Sequence, residues 1–260
     1  MVEATTDGFE FNIMIAGVGG LGTISVAGLI CNTAESAGLK WYQSEVHGMS
    51  QRGGAVNSHL RLADGKIHSV LIPKGKCDLV LSLELLEGLR YRDYLGPDGT
   101  MISSSTIVKN IPDYPNKDEL LGHLHSARGL VFNARRLATR AGARRAENIV
   151  MLGAASVLMP LPVLGLEKSI GIWLAKKQEK MVKANIRALR WGRIVAELDQ
   201  ALSDNENGVV DQKVVTAFID ALDPATLEAA FEQRREWSEV LCGKSVAELP
   251  AGPLDGRMPA

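Results

Sequence analysis

A glycine turn between two apolar segments constrains the fold of this 260-residue chain more than any other feature. Residues 11–16 are short and apolar, as in a buried parallel strand. Gly17, Gly19 and Gly22 follow in the spacing G-x-G-x-x-G, and residues 23–37 are typical of a buried helix. Backbone N–H groups and the positive end of the helix dipole would face any phosphate at such a turn. The turn therefore predicts either a phosphate-bearing ligand or a site where the glycines serve packing alone.

A polar loop after the second predicted strand favours the interpretation of the glycine turn as a ligand-binding site. Residues 40–44 form that strand, and Glu45 follows where a dinucleotide-binding domain has the acid that binds a ribose hydroxyl. Because a polar, glycine-rich loop is costly to order, we expect this one to contact something. His47 is the acid–base candidate within it. The candidate binding residues are Gly17, Gly19, Gly20 and Gly22 of the turn, and Glu45, Ser50, Gln51, Arg52, Gly53 and Gly54.

Other charged residues allow more than one interpretation. Arg52 could hold a phosphate or carboxylate through its planar fork, or form a salt bridge at a subunit interface. His59 alternates within a strand and is expected to be structural, and Lys74 and Lys76 are expected to line a solvated turn. A cluster of arginines predicts a solvated face, with an anion site or an interface as alternatives: Arg135, Arg136, Arg140, Arg144 and Arg145.

Composition excludes several classes of function. A net charge of −1 and 5% aromatic residues disfavour nucleic acid and anionic membranes. Three cysteines without a C-x-x-C pair predict neither a zinc site nor an iron–sulfur cluster in this chain alone. The uncharged segments 11–34 and 149–166 are interrupted by glycines or prolines, so we expect buried elements and not membrane spans. The polar residues 1–7 do not suit a signal peptide, which predicts a cytoplasmic protein.

The turn and loop together resemble one family. They are similar to the gamma subunit or domain of 2-oxoacid:ferredoxin oxidoreductases, and most similar to the small (beta) subunit of indolepyruvate:ferredoxin oxidoreductase. That family has a GVGGxG turn, then S-E-x-H-G-M-S-Q-R-G-G and an S-H-x-R strand, which match residues 17–22, 44–54 and 58–61 here. The resemblance extends to about residue 189, and it departs at Leu21, where the family commonly has glutamine.

This resemblance implies a subunit that does not act alone. In the family, a large companion subunit carries thiamine diphosphate, Mg²⁺ and iron–sulfur clusters, and the gamma component packs beside that site near where coenzyme A enters. The implied reaction converts a 2-oxoacid such as an arylpyruvate and coenzyme A into acyl-CoA, carbon dioxide and reduced ferredoxin. No cofactor or metal is expected on this chain by itself.

The order of predicted elements indicates an α/β fold. Alternating strands and helices across residues 11–158 predict a Rossmann-like, largely parallel, doubly wound sheet. Asp64-Gly65 predicts a β-hairpin between residues 55–62 and 66–72. Further on, residues 179–202 form an amphipathic helix, and residues 209–222 and 224–241 form two more. We therefore expect a gamma-type domain over residues 1–203 and a helical C-terminal extension over residues 204–260.

Two other functions fit the same residues. The chain could be a free-standing Rossmann protein that binds NAD or FAD, with Glu45 on the ribose. It could also be a purely structural assembly subunit whose glycine turn is empty.

Overall fold

A computed structural model describes residues 8–47, 53–125, 129–203 and 210–249. Within these residues, one sheet has the strand order β2-β3-β1-β4-β5-β6. Its strands are β1 Glu10–Val18, β2 Lys40–His47, β3 Ala55–Ala63, β4 Cys77–Ser82, β5 Leu95–Ser104 and β6 Gly129–Phe132. Strands β1, β4, β5 and β6 are paired in parallel, whereas β3 is antiparallel to both β1 and β2. The largely parallel sheet predicted from the sequence is confirmed.

Helices cover both faces of the sheet. They are α1 Thr23–Ser36, α2 Leu85–Arg90, α3 Lys117–His125, α4 Ala134–Arg140, α5 Glu147–Ala155, α6 Val163–Trp173, α7 Glu179–Ser203, α8 Gln212–Ala221, α9 Leu227–Glu232 and α10 Arg234–Leu241. Ile13 and Ile15 share a hydrophobic cluster with α1, α5 and α7, while Met14 shares another with α2 and α3. Because neighbouring strand residues point to opposite faces, the continuous apolar β1 is buried on both sides. The doubly wound arrangement is thereby confirmed.

The predicted hairpin is wrong in its second arm, since residues 66–72 do not form a strand. Both edges of β3 are already paired, with β1 on one side and β2 on the other, so β3 has no edge left for them. Side chains of β3 instead form hydrogen bonds with the backbone of residues 69–72. Arg61 donates to the Ser69 carbonyl at 2.8 Å and the Leu71 carbonyl at 3.3 Å, and His59 Nδ1 accepts from the Ile72 N–H at 3.1 Å. The consecutive antiparallel pair is β2 and β3.

Helices α5 and α7 cross with their backbones in contact. A Cβ atom at Gly153 would lie 1.9 Å from the Leu189 carbonyl oxygen, and one at Gly192 would lie 1.9 Å from the Val150 carbonyl oxygen. Glycine at both positions lets α7 lie directly on α5, which lies against the sheet. None of the helices in the described ranges is long and apolar enough to cross a membrane.

The C-terminal helices pack against the rest of the chain, and the second of the two predicted helices is broken. Residues 224–241 form a 3₁₀ turn, Pro224–Thr226, followed by α9 and α10. Helix α8 lies on β6 and α7, and α10 lies on α7. Phe218 and Trp237 are fully buried at this junction, with ring centroids 4.7 Å apart.

Four of the five clustered arginines are exposed, as predicted for a solvated face, and Arg136 is the exception. Arg136 is partly buried and donates to two backbone carbonyls. One belongs to Ile219 in the last turn of α8, and the other to Leu222 just beyond its end. Arg140 forms a salt bridge to Asp223 at 3.2 Å. These two arginines therefore belong to an interface within the chain, between α4 and the C-terminal helices.

Candidate functional site

The glycine turn lies at the carboxyl end of β1 and leads directly into α1. Gly20 and Gly22 have φ angles of 101° and 91°, which disfavour side-chain-bearing residues. Gly22 is the N-cap of α1, and among the described residues no side chain caps this helix, nor does its first turn contain an acid. Within that part of the chain, the first N–H groups of α1 and its positive dipole end therefore have no competing side chain.

The end of the predicted loop returns to this turn. Gly19 N–H donates to the Gly54 carbonyl at 2.8 Å, and Gly53 N–H lies 3.5 Å from the Gly19 carbonyl. Asn110 Nδ2 donates a hydrogen bond to the Gly53 carbonyl at 2.9 Å. The structure therefore brings together three of the predicted binding residues, Gly19, Gly53 and Gly54. Ser50, Gln51, Arg52 and the side chain of His47 lie outside the described residues.

Glu45 lies further from the turn than the acid of a dinucleotide-binding domain. It pairs with Ser58 of β3, which in turn pairs with Ile15 of β1, so a whole strand separates Glu45 from β1. Its Oε1 accepts a hydrogen bond from Gln43 of the same strand. In a dinucleotide-binding domain the acid-bearing strand neighbours β1 directly. This topology disfavours a ribose contact from Glu45.

A cavity of about 580 Å³ opens beside the turn, at the N-terminus of α1. Its lining combines the turn with α1, the segment before α5 and the α6–α7 connection. The lining includes Gly20, Gly22, Ser25, Arg144, Arg145, Asn148, Trp173, Lys177, Lys180 and Met181. Asn148 is buried, and its Nδ2 lies 3.5 Å from the Gly22 carbonyl. Glycine at position 22 also avoids a clash with this amide, because a Cβ there would lie 2.5 Å from Asn148 Nδ2.

The charge of this cavity is positive. Arg144, Arg145, Lys177 and Lys180 line it, and among the described residues no Asp or Glu does. Within the described part of the chain, none of these four cations forms an ion pair. Free cations beside an uncapped helix N-terminus favour a polyanionic ligand. Trp173 at the same cavity offers an aromatic surface.

Some of these residues were not anticipated from the sequence. Arg144 and Arg145 belonged to the arginine cluster, but Lys177, Lys180 and Trp173 were not singled out. The lysine-rich run at 176–180, directly after an apolar helix, is the signal that could have found them. No sequence signal indicated that residues of this run and Arg144-Arg145 would line the same cavity.

Buried polar groups next to the glycine turn stabilise the loops around it. Glu84 is buried at the end of β4, where its Oε2 caps α2 through the Glu87 N–H at 2.9 Å. Its Oε1 accepts from the Val108 N–H at 3.1 Å and from the Tyr114 hydroxyl. Burial and the hydrogen bond to Glu84 raise the pKa of Tyr114, and burial raises that of Glu87. These contacts fix the loops at the carboxyl end of β4.

His59 fits the structural role expected for it. It is buried, its Nδ1 accepts from the Ile72 N–H, and its ring packs edge-on against Tyr94 with centroids 5.7 Å apart. Burial lowers its pKa. His59 is therefore held neutral within the fold.

The described residues contain no group of three or more His, Cys, Asp or Glu side chains that could hold a metal ion. Cys31 and Cys77 are buried thiols, and burial raises the pKa of each to about 12. Thiols this hard to deprotonate are poor nucleophiles and poor metal ligands.

Comparison with known proteins identifies the family of this chain. Residues 12–194 match the family described as pyruvate ferredoxin/flavodoxin oxidoreductase. A protein of Archaeoglobus fulgidus named indolepyruvate oxidoreductase subunit IorB is 32% identical over 208 residues, which are 77% of this chain and 100% of that protein. The protein of the same name from Methanothermobacter thermautotrophicus is 34% identical over 191 residues, covering 70% and 96% of the two chains.

Solved structures agree with these relatives. The gamma subunit of a keto/oxoacid ferredoxin oxidoreductase from Geobacter sulfurreducens is 26% identical with a TM-score of 0.53, over 72% of this chain and 98% of that one. The 2-oxoglutarate:ferredoxin oxidoreductase of Magnetococcus marinus has the same fold at 20% identity and a TM-score of 0.57. The match covers 72% of this chain and 31% of that one. The resemblance based on the turn and loop is confirmed, and the chain belongs to the pyruvate ferredoxin/flavodoxin oxidoreductase family.

Proposed function

We propose that this chain is the gamma-type subunit of an arylpyruvate:ferredoxin oxidoreductase and provides a coenzyme A site beside a large partner subunit. The supporting observation is the basic cavity at the glycine turn, whose lining residues all fall within the family match. Relatives named as indolepyruvate oxidoreductase subunits, about a third identical over most of this chain, support the arylpyruvate substrate.

Coenzyme A has the chemistry that this cavity complements. Its diphosphate and its ribose phosphate are strongly anionic, and Arg144, Arg145, Lys177 and Lys180 are available to bind them. The first N–H groups of α1 add donors for the diphosphate. Trp173 supplies a ring on which the adenine can stack. The pantetheine arm and its thiol would then extend out of the cavity toward the partner.

The division of labour follows from the groups that each subunit holds. Thiamine diphosphate, Mg²⁺ and iron–sulfur clusters on the large subunit would supply decarboxylation and electron transfer to ferredoxin. This chain binds coenzyme A by its phosphates and orients the thiol. Its contribution is positioning, which lowers the cost of bringing the second substrate to the reacting carbon.

Titration of the isolated chain with coenzyme A tests the cavity. We expect binding that weakens about tenfold or more when Arg144 and Arg145 are both replaced by Gln, because charge-assisted hydrogen bonds are worth about 1.5–3 kcal/mol. Arg235→Gln is the matched control, since Arg235 is exposed on α10 and does not line the cavity. Equal affinity of all three proteins would contradict the assignment, and tighter binding of NAD than of coenzyme A would favour the dinucleotide-binding alternative.

Activity of the complex tests the subunit assignment. The chain is co-expressed with the large subunit and assayed anaerobically with indolepyruvate, coenzyme A and ferredoxin. We expect the double Arg variant to raise KM for coenzyme A with kcat at saturation largely kept. The proposal fails if no complex forms, or if arylpyruvate oxidation is equally fast without this chain.

Arg52 distinguishes this function from a purely structural one. It lies outside the described residues, in the loop whose end returns to the glycine turn. We expect Arg52→Ala to change the dependence of the rate on coenzyme A. An intact complex with unchanged coenzyme A dependence in both Arg52→Ala and the double Arg variant would support a structural subunit.

A further inference from the structure

One buried amide at the basic cavity has hydrogen-bonding capacity that the described part of the chain leaves largely unused. Asn148 is the second residue of α5 and is 6% exposed, and it lines the cavity beside the N-terminus of α1. Its Oδ1 accepts from the Ile149 N–H at 3.0 Å, and this bond fixes which end of the amide is the oxygen. Nδ2 is therefore the end that faces Gly22.

The donors of Asn148 Nδ2 are poorly satisfied. An amide nitrogen carries two N–H donors. Among the described residues, Nδ2 has one acceptor, the Gly22 carbonyl at 3.5 Å, which is longer than an ordinary hydrogen bond. That carbonyl already accepts from the Val26 N–H at 3.1 Å within α1. Because a buried polar group without a good partner costs free energy, an acceptor in the cavity would stabilise this amide.

Asn185 shows how an amide at the same cavity can be satisfied by the fold itself. It also lines the cavity and is 7% exposed, but its Nδ2 donates to the Met181 carbonyl at 2.9 Å. That carbonyl lies one turn earlier in α7, so Asn185 uses its donor within its own helix. Asn148 and Asn185 therefore match in residue type, burial and cavity, and differ in whether the amide donor is well used.

The unused donor of Asn148 lies next to other donors that suit an anion. Gly22 is the N-cap of α1, so the first N–H groups of that helix begin beside Asn148 Nδ2. Arg144 and Arg145 line the same cavity. A phosphate group presents several acceptor oxygens, which helix N–H groups, an amide and a guanidinium can share.

We propose that Asn148 determines the specificity of this cavity, and that its Nδ2 donates to the diphosphate of coenzyme A. The inference rests on the proposed function, since it takes coenzyme A as the ligand, and it assigns the diphosphate to the end of the cavity formed by Asn148 and the N-terminus of α1. A ligand without a diphosphate would leave the buried donor unpaired, so the cavity discriminates against it.

Two ligands and two substitutions test this assignment by titration of the full chain. 3′-Dephospho-coenzyme A keeps the diphosphate and lacks the ribose phosphate. We expect Asn148→Ala to weaken binding of coenzyme A and of the dephospho form by the same factor, about tenfold or more, because the lost bond goes to a charged group. Asn148→Asp keeps an acceptor for the Ile149 N–H but replaces the donor by a carboxylate, so the loss should reach about a hundredfold.

Asn185→Ala is the matched control. It removes a buried amide from the same cavity, but one whose donor is already used, so we expect coenzyme A affinity to stay within about threefold of the unmodified chain. The unfolding temperature of each variant shows whether it is folded. Asn148→Ser has a hydroxyl too short to replace the amide, and it repeats the test if the alanine variant does not fold.

The outcomes separate this inference from the proposed function. If the unmodified chain binds neither ligand, both fall. If it binds coenzyme A and only the Arg144 and Arg145 double variant binds more weakly, the role of Asn148 alone is wrong. A loss confined to coenzyme A would assign Asn148 to the ribose phosphate and overturn the inference. An equal loss in Asn185→Ala would also overturn it, because the amides would then act through cavity shape.

Discussion

Gly22 meets two constraints at once, and each excludes a side chain. Its φ of 91° lies in the left-handed region, and a Cβ would overlap the buried amide of Asn148. By contrast, Gly17 lies where a Cβ would be 3.1 Å from Thr23 Oγ1, which is tight but within reach of small adjustments. The glycines of the motif therefore have different structural roles, although they are equivalent in the G-x-G-x-x-G pattern.

We expect Gly22→Ala to destabilise the chain by about 2–3 kcal/mol, from the left-handed backbone and the displaced Asn148. Chemical denaturation of the purified chain measures this. Gly28→Ala is the control, because a Cβ at Gly28 within α1 meets nothing within 4 Å and alanine favours the helix. A Gly22→Ala chain as stable as the control would contradict the assigned geometry.

His59 makes the stability of the fold depend on pH. Its neutral Nδ1 accepts a backbone N–H, and burial holds its pKa below the ordinary 6.5. In the unfolded chain, the His59 imidazole would take up a proton near its ordinary pKa of 6.5. Its contribution is therefore present above pH 6.5 and is lost as the pH falls from there toward and below the folded pKa.

We expect the free energy of unfolding to fall between pH about 7 and about 5, by at most about 1.4 kcal/mol per pH unit for each such group. His125, whose pKa burial also lowers, contributes to this slope. His59→Gln should be less stable at neutral pH but lose less on acidification. Urea denaturation at several pH values measures both, with the exposed His68→Gln as control; parallel curves for all three proteins would refute the role of His59.

The crossing of α5 and α7 depends on two glycines that face each other's helix backbone. Gly153 approaches the Leu189 carbonyl, and Gly192 approaches the Val150 carbonyl. Gly153 lies within the family match over residues 12–194, and this crossing gives it a physical role there. It also fixes α7, whose first residues line the basic cavity.

We expect Gly153→Ala and Gly192→Ala each to destabilise the chain by about 3 kcal/mol, because rigid backbone must move to admit the methyl group. Gly171→Ala in α6 should be neutral or stabilising, since a Cβ there meets nothing within 4 Å. Thermal unfolding compares the three. Equal melting temperatures would mean that the helices do not cross this closely.

The whole molecule shares one principal core between the family-matched region and the C-terminal helices. Phe218 and Trp237 join the same hydrophobic cluster as the sheet and α7, and Arg136 donates to carbonyls at the end of α8. In return, Asp220 of α8 accepts from the Asn133 N–H at the start of α4, at 2.9 Å. These contacts favour one cooperative unit that includes both the gamma-type domain predicted over residues 1–203 and the described helices of the extension predicted over residues 204–260.

We expect a chain ended after residue 203 to unfold or aggregate, because it would expose the apolar side of α7. Circular dichroism, light scattering and binding of a hydrophobic dye measure this. Arg136→Gln in the full chain is the milder test and should lower stability, while Arg140→Gln, which breaks only an exposed salt bridge, should have little effect. A truncated chain that stays monodisperse with native stability would contradict the single cooperative unit.

Local patterns in the sequence were enough for the strand, glycine turn and helix, for the parallel sheet and for the family. Each of these depends on residues close together in the chain: the glycine spacing, the apolar strands and the alternation of strands and helices. The loop that carries Ser50, Gln51 and Arg52 was recognisable because its composition is costly to leave without contacts.

Tertiary structure decided what distant segments do together. It placed β3 between β1 and β2, which left residues 66–72 without a strand partner and moved Glu45 away from the turn. It also brought Arg144, Arg145, Lys177 and Lys180 into the lining of one cavity, although the two pairs are about 30 residues apart in the chain. Pairing of strand edges and facing of charges depend on how separate elements pack, and no short-range pattern encodes that.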